Sequence, residues 1–234
     1  MLAWVLLVLG HVTGTAQHMD HDAVFHAEAP PSVALCLFLV GWLLMVMAMM
    51  APPMFPALRR LETAAGGPPS GLLTAFLAGF VFVWAIAGSA ALGFDMIVHE
   101  AVHAVPALEE RPRAVAAALL AAAGLAQLAP STRRQLARCG RSIATGSGRL
   151  SSAFIIGREY GARCLRADGP LMLVMFAAGG ALSWMVILTI VMMAERSPRD
   201  GDRVAVGAGV ALLVGALLVV LNPAWVPAPL GGER

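Results

Sequence analysis

Charged side chains are scarce in this sequence. Only 13% of its 234 residues are charged, 59% are hydrophobic, and the mean hydropathy is +0.78. A soluble domain carries about a quarter of its residues as charged side chains, so this composition excludes a soluble globular fold. Several apolar runs approach the roughly 20 residues that cross a bilayer, and they predict a polytopic α-helical membrane protein.

Lysine is absent and cysteine is rare. All sixteen basic residues are arginine, and the three cysteines are Cys36, Cys139 and Cys164. No two of these cysteines have CxxC spacing, so no disulfide framework is implied, and Cys36 reads as a small apolar core residue. Arginine without lysine in a chain rich in Ala and Gly is typical of a bacterial genome rich in G and C. The arginines flank apolar runs, where membrane topology explains them, and no nucleic-acid partner is expected.

The apolar runs predict an all-α transmembrane bundle of about six spans in one domain. Residues 1–13 form a short first span or a signal-like segment, and residues 14–30 form a histidine-rich loop. Further spans are expected at 33–57, 71–97, 114–128, 171–194 and 204–221. A basic loop with an interfacial helix is expected over residues 130–166.

The arginines also predict the orientation in the membrane. Eleven of them fall on the side that carries Arg59, Arg60, the 130–166 loop and the C-terminus, and five fall on the other side. The side richer in arginine should face the cytoplasm of a bacterial inner membrane. All six histidines then lie on the periplasmic side.

The histidines fall in two groups. Four of the six lie between residues 11 and 26, where the sequence HMDHD at 18–22 offers imidazole, thioether and carboxylate groups. The second group follows the span at 71–97, where Asp95, His99 and His103 have i, i+4, i+8 spacing on one side of a helix. Ionisable residues at the end of a span are costly unless they are solvated, paired or bound to a ligand. We therefore predict a periplasmic metal site made of His18, His21, His26, Asp95, His99 and His103.

Methionines dominate the end of the span at 33–57. Five of them lie within ten residues, before and just after a Pro-Pro pair. Thioethers are soft ligands that suit Cu(I), although they also fill irregular gaps in apolar cores. Weaker metal candidates are therefore the thioethers of Met19, Met45, Met49 and Met50.

A different chemistry is suggested by HEAVH at 99–103. In an HExxH helix two histidines hold zinc, and the glutamate, here Glu100, acts as general base. An intramembrane zinc metalloprotease would also need a third ligand, and Asp168 before Gly169 lies on the opposite side in the predicted topology. A five-residue pattern also arises by chance, so metal binding without catalysis is the expectation.

Three ordered motifs resemble those of a bacterial family of predicted metal-binding integral membrane proteins, domain of unknown function 2182. They are Trp42 with AMMAP at 48–52, AGLAQLAP at 123–130 with CGRS at 139–142, and GREYGARC at 157–164 followed by Leu171, Met172, Gly179, Trp184, Met185 and Glu195. The resemblance implies a metal-binding membrane protein over residues 35–200. Ala167 and Asp168 stand where that family has further cysteines, so a thiolate site is not expected.

These observations together predict a copper-binding protein of the inner membrane that handles metal or supports a membrane metalloenzyme. Zinc is the alternative ion for the same histidines. The alternative function is an accessory or structural subunit of a larger membrane complex. The expected partners are the lipid bilayer and other membrane subunits.

Overall fold

The computed structural model describes residues 2–13, 30–64, 70–104, 112–139, 150–177, 182–197 and 199–221. In these ranges every regular element is a helix and no strand occurs, which confirms the all-α class. The helices are α1 (Leu2–Val12), α2 (Pro31–Ala64), α3 (Ser70–Ala104), α4 (Pro112–Leu128), α5 (Pro130–Cys139), α6 (Leu150–Ala177), α7 (Leu182–Glu195) and α8 (Gly201–Leu221).

Three helices are long and apolar enough to cross a membrane. The candidate spans are Leu35–Thr63 in α2, Gly71–Val98 in α3 and Gly201–Leu221 in α8, and α4 with α5 forms a fourth if the bent pair counts as one span. These helices support the prediction of a membrane protein. Of the six predicted spans, however, three or four correspond to helices that are long and apolar enough to cross a membrane. The predicted spans at 1–13 and 171–194 correspond to shorter helices, since α1 has 11 residues and α7 has 14.

The predicted loop at 130–166 is largely helical. Residues 130–139 form α5, and the expected interfacial helix continues through Pro170 as the 28-residue α6. The predicted loop ended at residue 166 and the next predicted span began at residue 171, whereas α6 is continuous through both positions. Asp168 pairs with Arg196 inside the fold, so its charge does not have to reach water.

The chain divides into two compact units. Unit 1 comprises Met1–Leu92 and Cys139–Leu165, and unit 2 comprises Gly93–Arg138 and Arg166–Arg234. Each unit is described by itself below.

In unit 1, α3 and α6 pack backbone against backbone. A Cβ at Gly157 of α6 would overlap the carbonyl oxygen of Phe76 in α3, and one at Gly161 would lie 3.3 Å from the carbonyl oxygen of Phe80. Because the contacts advance together along both helices, α3 and α6 run parallel. Small residues permit this approach between helices.

An indole hydrogen bond joins α2 to α3 within unit 1. Trp42 Nε1 donates to the Trp84 carbonyl oxygen at 2.9 Å. A Cβ at Gly88, one turn further along α3, would lie 2.5 Å from Trp42 Cδ1. The absence of a side chain at Gly88 therefore lets the indole reach the α3 backbone.

In unit 2, α8 packs along α4 and a sharp bend separates α4 from α5. Helices α4 and α8 approach each other closely at glycine residues, since a Cβ at Gly124 would lie 2.9 Å from the Gly209 carbonyl oxygen. The bend is 65° and follows from Pro130, which has no N–H for the Ala126 carbonyl. The Thr132 hydroxyl donates to that carbonyl at 2.7 Å instead.

Candidate metal centre

Three methionines of α2 are completely enclosed in unit 1. Met49, Met50 and Met54 have exposures of 0%, 1% and 1%, and we call them the α2 thioether group. Trp42 and Val46 precede them on the same buried side of the helix, at the spacing of a 3.6-residue period. Met45, a predicted ligand, is only half-buried. Met49 and Met50, two of the weaker candidate ligands, thus lie in the interior, and so does Met54, which shares an i, i+4 relation with Met50.

The backbone around these methionines is interrupted by proline. Pro52 removes the helical donor that would otherwise bond the Ala48 carbonyl, and Pro53 does the same for Met49. The Ala48 carbonyl receives a replacement donor, because Trp4 Nε1 of α1 lies 2.9 Å from it. Helix α1 is therefore fastened to α2 at the start of the α2 thioether group.

The predicted histidine site is only partly covered by the described residues. His18, Met19, His21 and His26 lie outside them. Positions 95, 99 and 103 lie in the continuous helix α3, so the predicted i, i+4, i+8 spacing holds, and Asp95 is half-buried. Glu100, the base that a protease would need, is exposed.

No conventional metal cluster is found in the described part of the chain. Within the described ranges, no three His, Cys, Asp or Glu side chains come together. Cys164 is fully buried in unit 1, whereas Cys36 is exposed, so the expectation that Cys36 is a core residue is wrong. The donors available in the interior of unit 1 are thus mainly thioethers, which fit a soft monovalent ion such as Cu(I) better than they fit zinc.

Unit 2 contains a buried polar cluster, which we define as Gln127, Asp168, Glu195 and Arg196. Gln127 Nε2 donates to Glu195 Oε1 at 2.5 Å, and Arg196 Nη2 donates to Asp168 Oδ2 at 2.6 Å. Exposures are 0% for Gln127 and Asp168 and 3% for Glu195. Gln127 and Glu195 both lie in the motifs described above, but those motifs indicated no role for them. They are each other's partner and lie 68 residues apart in the chain.

Three side chains of the cluster each have one oxygen that accepts no hydrogen bond within the described ranges. These buried atoms are Gln127 Oε1, Asp168 Oδ1 and Glu195 Oε2. Both carboxyls lie outside the candidate spans. Burial and, to a smaller extent, the nearby Asp168 raise the pKa of Glu195 to about 8, against the opposing effects of Gln127 and Arg196. Burial also raises the pKa of Asp168, against the attraction of Arg196.

The turn from α7 to α8 holds Glu195 in place. The Gly201 N–H donates to the Ser197 carbonyl at 3.1 Å, and a Cβ at Gly201 would overlap the Glu195 carbonyl oxygen. Only glycine therefore lets the start of α8 come so close to the end of α7. A rigid turn fixes the buried carboxyl beside Gln127.

Comparison with known proteins gives one match. No curated protein and no solved structure matches this chain. The family described as PpoB2, copper chaperone, matches residues 39–219. This range includes the α2 thioether group and the unit 2 polar cluster. The match supports the expectation that the protein is related to copper. It does not name the family of domain of unknown function 2182. The chain belongs to the PpoB2 copper chaperone family.

Proposed function

We propose that this protein is a chaperone of the bacterial inner membrane that holds Cu(I) through the α2 thioether group and releases it to a membrane metalloenzyme. The observation that carries the proposal is the burial of Met49, Met50 and Met54 on one side of α2 in a member of a copper chaperone family. Copper is the cargo of this protein, and the chain supplies the ligands.

Thioether chemistry suits temporary storage. Methionine sulfur is neutral and soft, so it selects Cu(I) over the hard cations that are more abundant in cells. Binding requires no deprotonation, in contrast to cysteine. The enclosed helix face keeps the ion away from water. A receiving protein with thiolate or imidazole ligands would then draw the ion away without any change of redox state.

The local backbone supports exchange as well as binding. Pro52 and Pro53 leave α2 without two of its internal hydrogen bonds beside the methionines. Trp4 compensates at Ala48 with a contact from a different helix. A helix held together in this way can adjust its side chains more readily than a fully bonded one, since interrupted hydrogen-bond ladders are where helices bend.

The predicted histidines would serve as the periplasmic entry to such a protein. Positions 95, 99 and 103 occupy the last turns of α3, and Asp, His and His are ligands for Cu(II) as well as Cu(I). His18, His21 and His26 stay predicted members of this entry site. Zinc remains the alternative ion for the histidines alone.

The test is Cu(I) binding by the full chain in detergent micelles under reducing conditions. A chromophoric Cu(I) chelator competes with the protein, and the triple variant Met49→Leu, Met50→Leu, Met54→Leu is compared with native protein. Leucine keeps the apolar volume, so the fold should persist. We expect the variant to lose one bound Cu(I) or to bind it at least about tenfold more weakly, a loss that second-layer ligand changes already produce in other metal sites.

Met193 provides the matched control. It is 50% exposed on α7, and Met193→Leu changes the same chemical group without touching an enclosed side chain. Native binding in both variants would refute the assignment of the α2 thioether group. Loss of Cu(I) in the triple variant alone supports it.

A further inference from the structure

Helices α6 and α7 each carry a buried methionine about one turn from an ion pair of unit 2. Arg196 Nη2 lies 2.6 Å from Asp168 Oδ2, and residues 178–181 connect the two helices. A connection this short is typical of antiparallel helices, in which positions equally far from the ion pair lie side by side. Met172 follows Asp168 by four residues and Met192 precedes Arg196 by four, so each lies about one turn, or roughly 6 Å, from the pair.

Both thioethers are enclosed. Met172 is 2% exposed and Met192 is 0% exposed, whereas the next residue, Met193, is 50% exposed. Met172 shares the face of α6 that carries Asp168, and Met192 precedes Arg196 by one turn, so both enclosed thioethers belong to the surroundings of the ion pair. Two thioethers on facing helices can approach one ion from opposite directions, and Cu(I) accepts low coordination numbers.

Above pH 8 the neighbouring cluster lacks one positive charge, because Glu195, whose pKa burial raises to about 8, is then ionised. Asp168 and Glu195 are two buried carboxyls, and Arg196 supplies one positive charge. Asp168 Oδ1 and Glu195 Oε2 receive no hydrogen bond within the described ranges. An uncompensated buried carboxylate is costly. A monovalent cation one helical turn away would lower that cost.

We propose that unit 2 holds a second Cu(I) site, with Met172 and Met192 as ligands and with Asp168 and Glu195 compensating the charge of the ion. The inference rests on the proposed function for the identity of the ion. It differs from that function in its residues, since none of them belongs to the α2 thioether group. It also excludes hard cations such as Mg²⁺, because thioethers are poor ligands for them.

The number of Cu(I) ions bound per chain tests this proposal. Titration of the full chain with Cu(I) against a chromophoric chelator should give two ions for native protein and for Met193→Leu. The double variant Met172→Leu, Met192→Leu should bind one, and so should the triple variant of the α2 thioether group. A double variant that binds as much Cu(I) as native protein would overturn the second site.

The two assignments fail in distinguishable ways. If the triple variant loses copper and the double variant does not, the second site is wrong and the proposed function stands. If the double variant loses copper and the triple variant does not, the second site stands and the α2 assignment is wrong.

Glu195→Gln gives an independent measurement that leaves both methionines intact. The measurement is made at pH 9, above the pKa of Glu195 of about 8, where the amide keeps the shape of the side chain and removes one negative charge. One of the two affinities should weaken roughly tenfold, since a charge at such a distance in a protein interior contributes about 1–2 kcal/mol. If both affinities equal those of native protein, the charge compensation is refuted.

Discussion

Replacing Arg196 with methionine should destabilise this protein severely. The Arg196 guanidinium and the Asp168 carboxyl are 2.6 Å apart, with side-chain exposures of 9% and 0%. Removing one partner of a buried pair costs about 3–5 kcal/mol, because the remaining charge has no compensation. For a chain of this length such a loss lowers the melting temperature on the order of 10 °C.

A more exposed ion pair in the same unit gives the matched control. The Arg133 and Asp202 side chains also form a salt bridge, but they are 36% and 61% exposed. Exposed pairs of this kind contribute little to stability because water screens them, so Arg133→Met should melt close to native protein. Thermal unfolding followed by circular dichroism in one detergent measures both variants.

A compensating variant separates charge from packing. Asp168→Asn combined with Arg196→Met removes both charges, so the double variant should recover most of the lost melting temperature. If Arg196→Met melts within about 2 °C of native protein, or if the double variant melts no higher than Arg196→Met, the buried pair does not contribute as argued.

Three further predictions concern packing, the α1 contact and pH. Gly79→Ala should lower the melting temperature by several degrees, because its Cβ would lie 2.8 Å from a backbone nitrogen of α6. The control Gly93→Ala, whose Cβ would have nothing described within 4 Å, should be neutral or stabilising by up to about 1 kcal/mol. Equal effects of the two variants would contradict the α3–α6 contact. Trp4→Phe should cost about 1 kcal/mol in chemical denaturation, because the Ala48 carbonyl loses its 2.9 Å donor; an unchanged midpoint would contradict the role of α1. Burial raises the pKa of Glu195 from 4.5 to about 8, so between these values the native state holds a proton that the unfolded chain has released, and stability should fall as pH rises. Glu195→Gln should flatten this dependence, and an unaltered slope would refute it.

The helical class followed from the sequence because hydrophobic runs and scarce charge leave few alternatives in a membrane. Helices α2, α4 and α5 begin at Pro31, Pro112 and Pro130. These starts agree with the preference for proline in the first turn of a helix. The span count was less predictable. Residues 171–194 form one apolar run, yet they belong to the end of α6 and to the separate α7, because hydropathy does not register where a helix stops.

The candidate site was predictable only where its signal is local. Met49 and Met50 stand out as a soft, apolar pair in the sequence, and the structure places both in the interior. The partnership of Gln127 with Glu195 spans 68 residues, and that of Asp168 with Arg196 spans 28. No periodicity reports such pairs, because they depend on which helices the fold brings together. The sequence signal for this cluster was a single carboxyl, Glu195, at the end of an apolar run.

X-ray absorption of the Cu(I)-loaded full chain in lipid nanodiscs tests the central claim most directly. Binding by enclosed thioethers predicts that sulfur atoms dominate the nearest shell around copper, and that the triple variant Met49→Leu, Met50→Leu, Met54→Leu loses part of this sulfur signal. A nearest shell of nitrogen and oxygen in native protein, unaltered in the triple variant, would show that copper binds at the histidines and would contradict the claim.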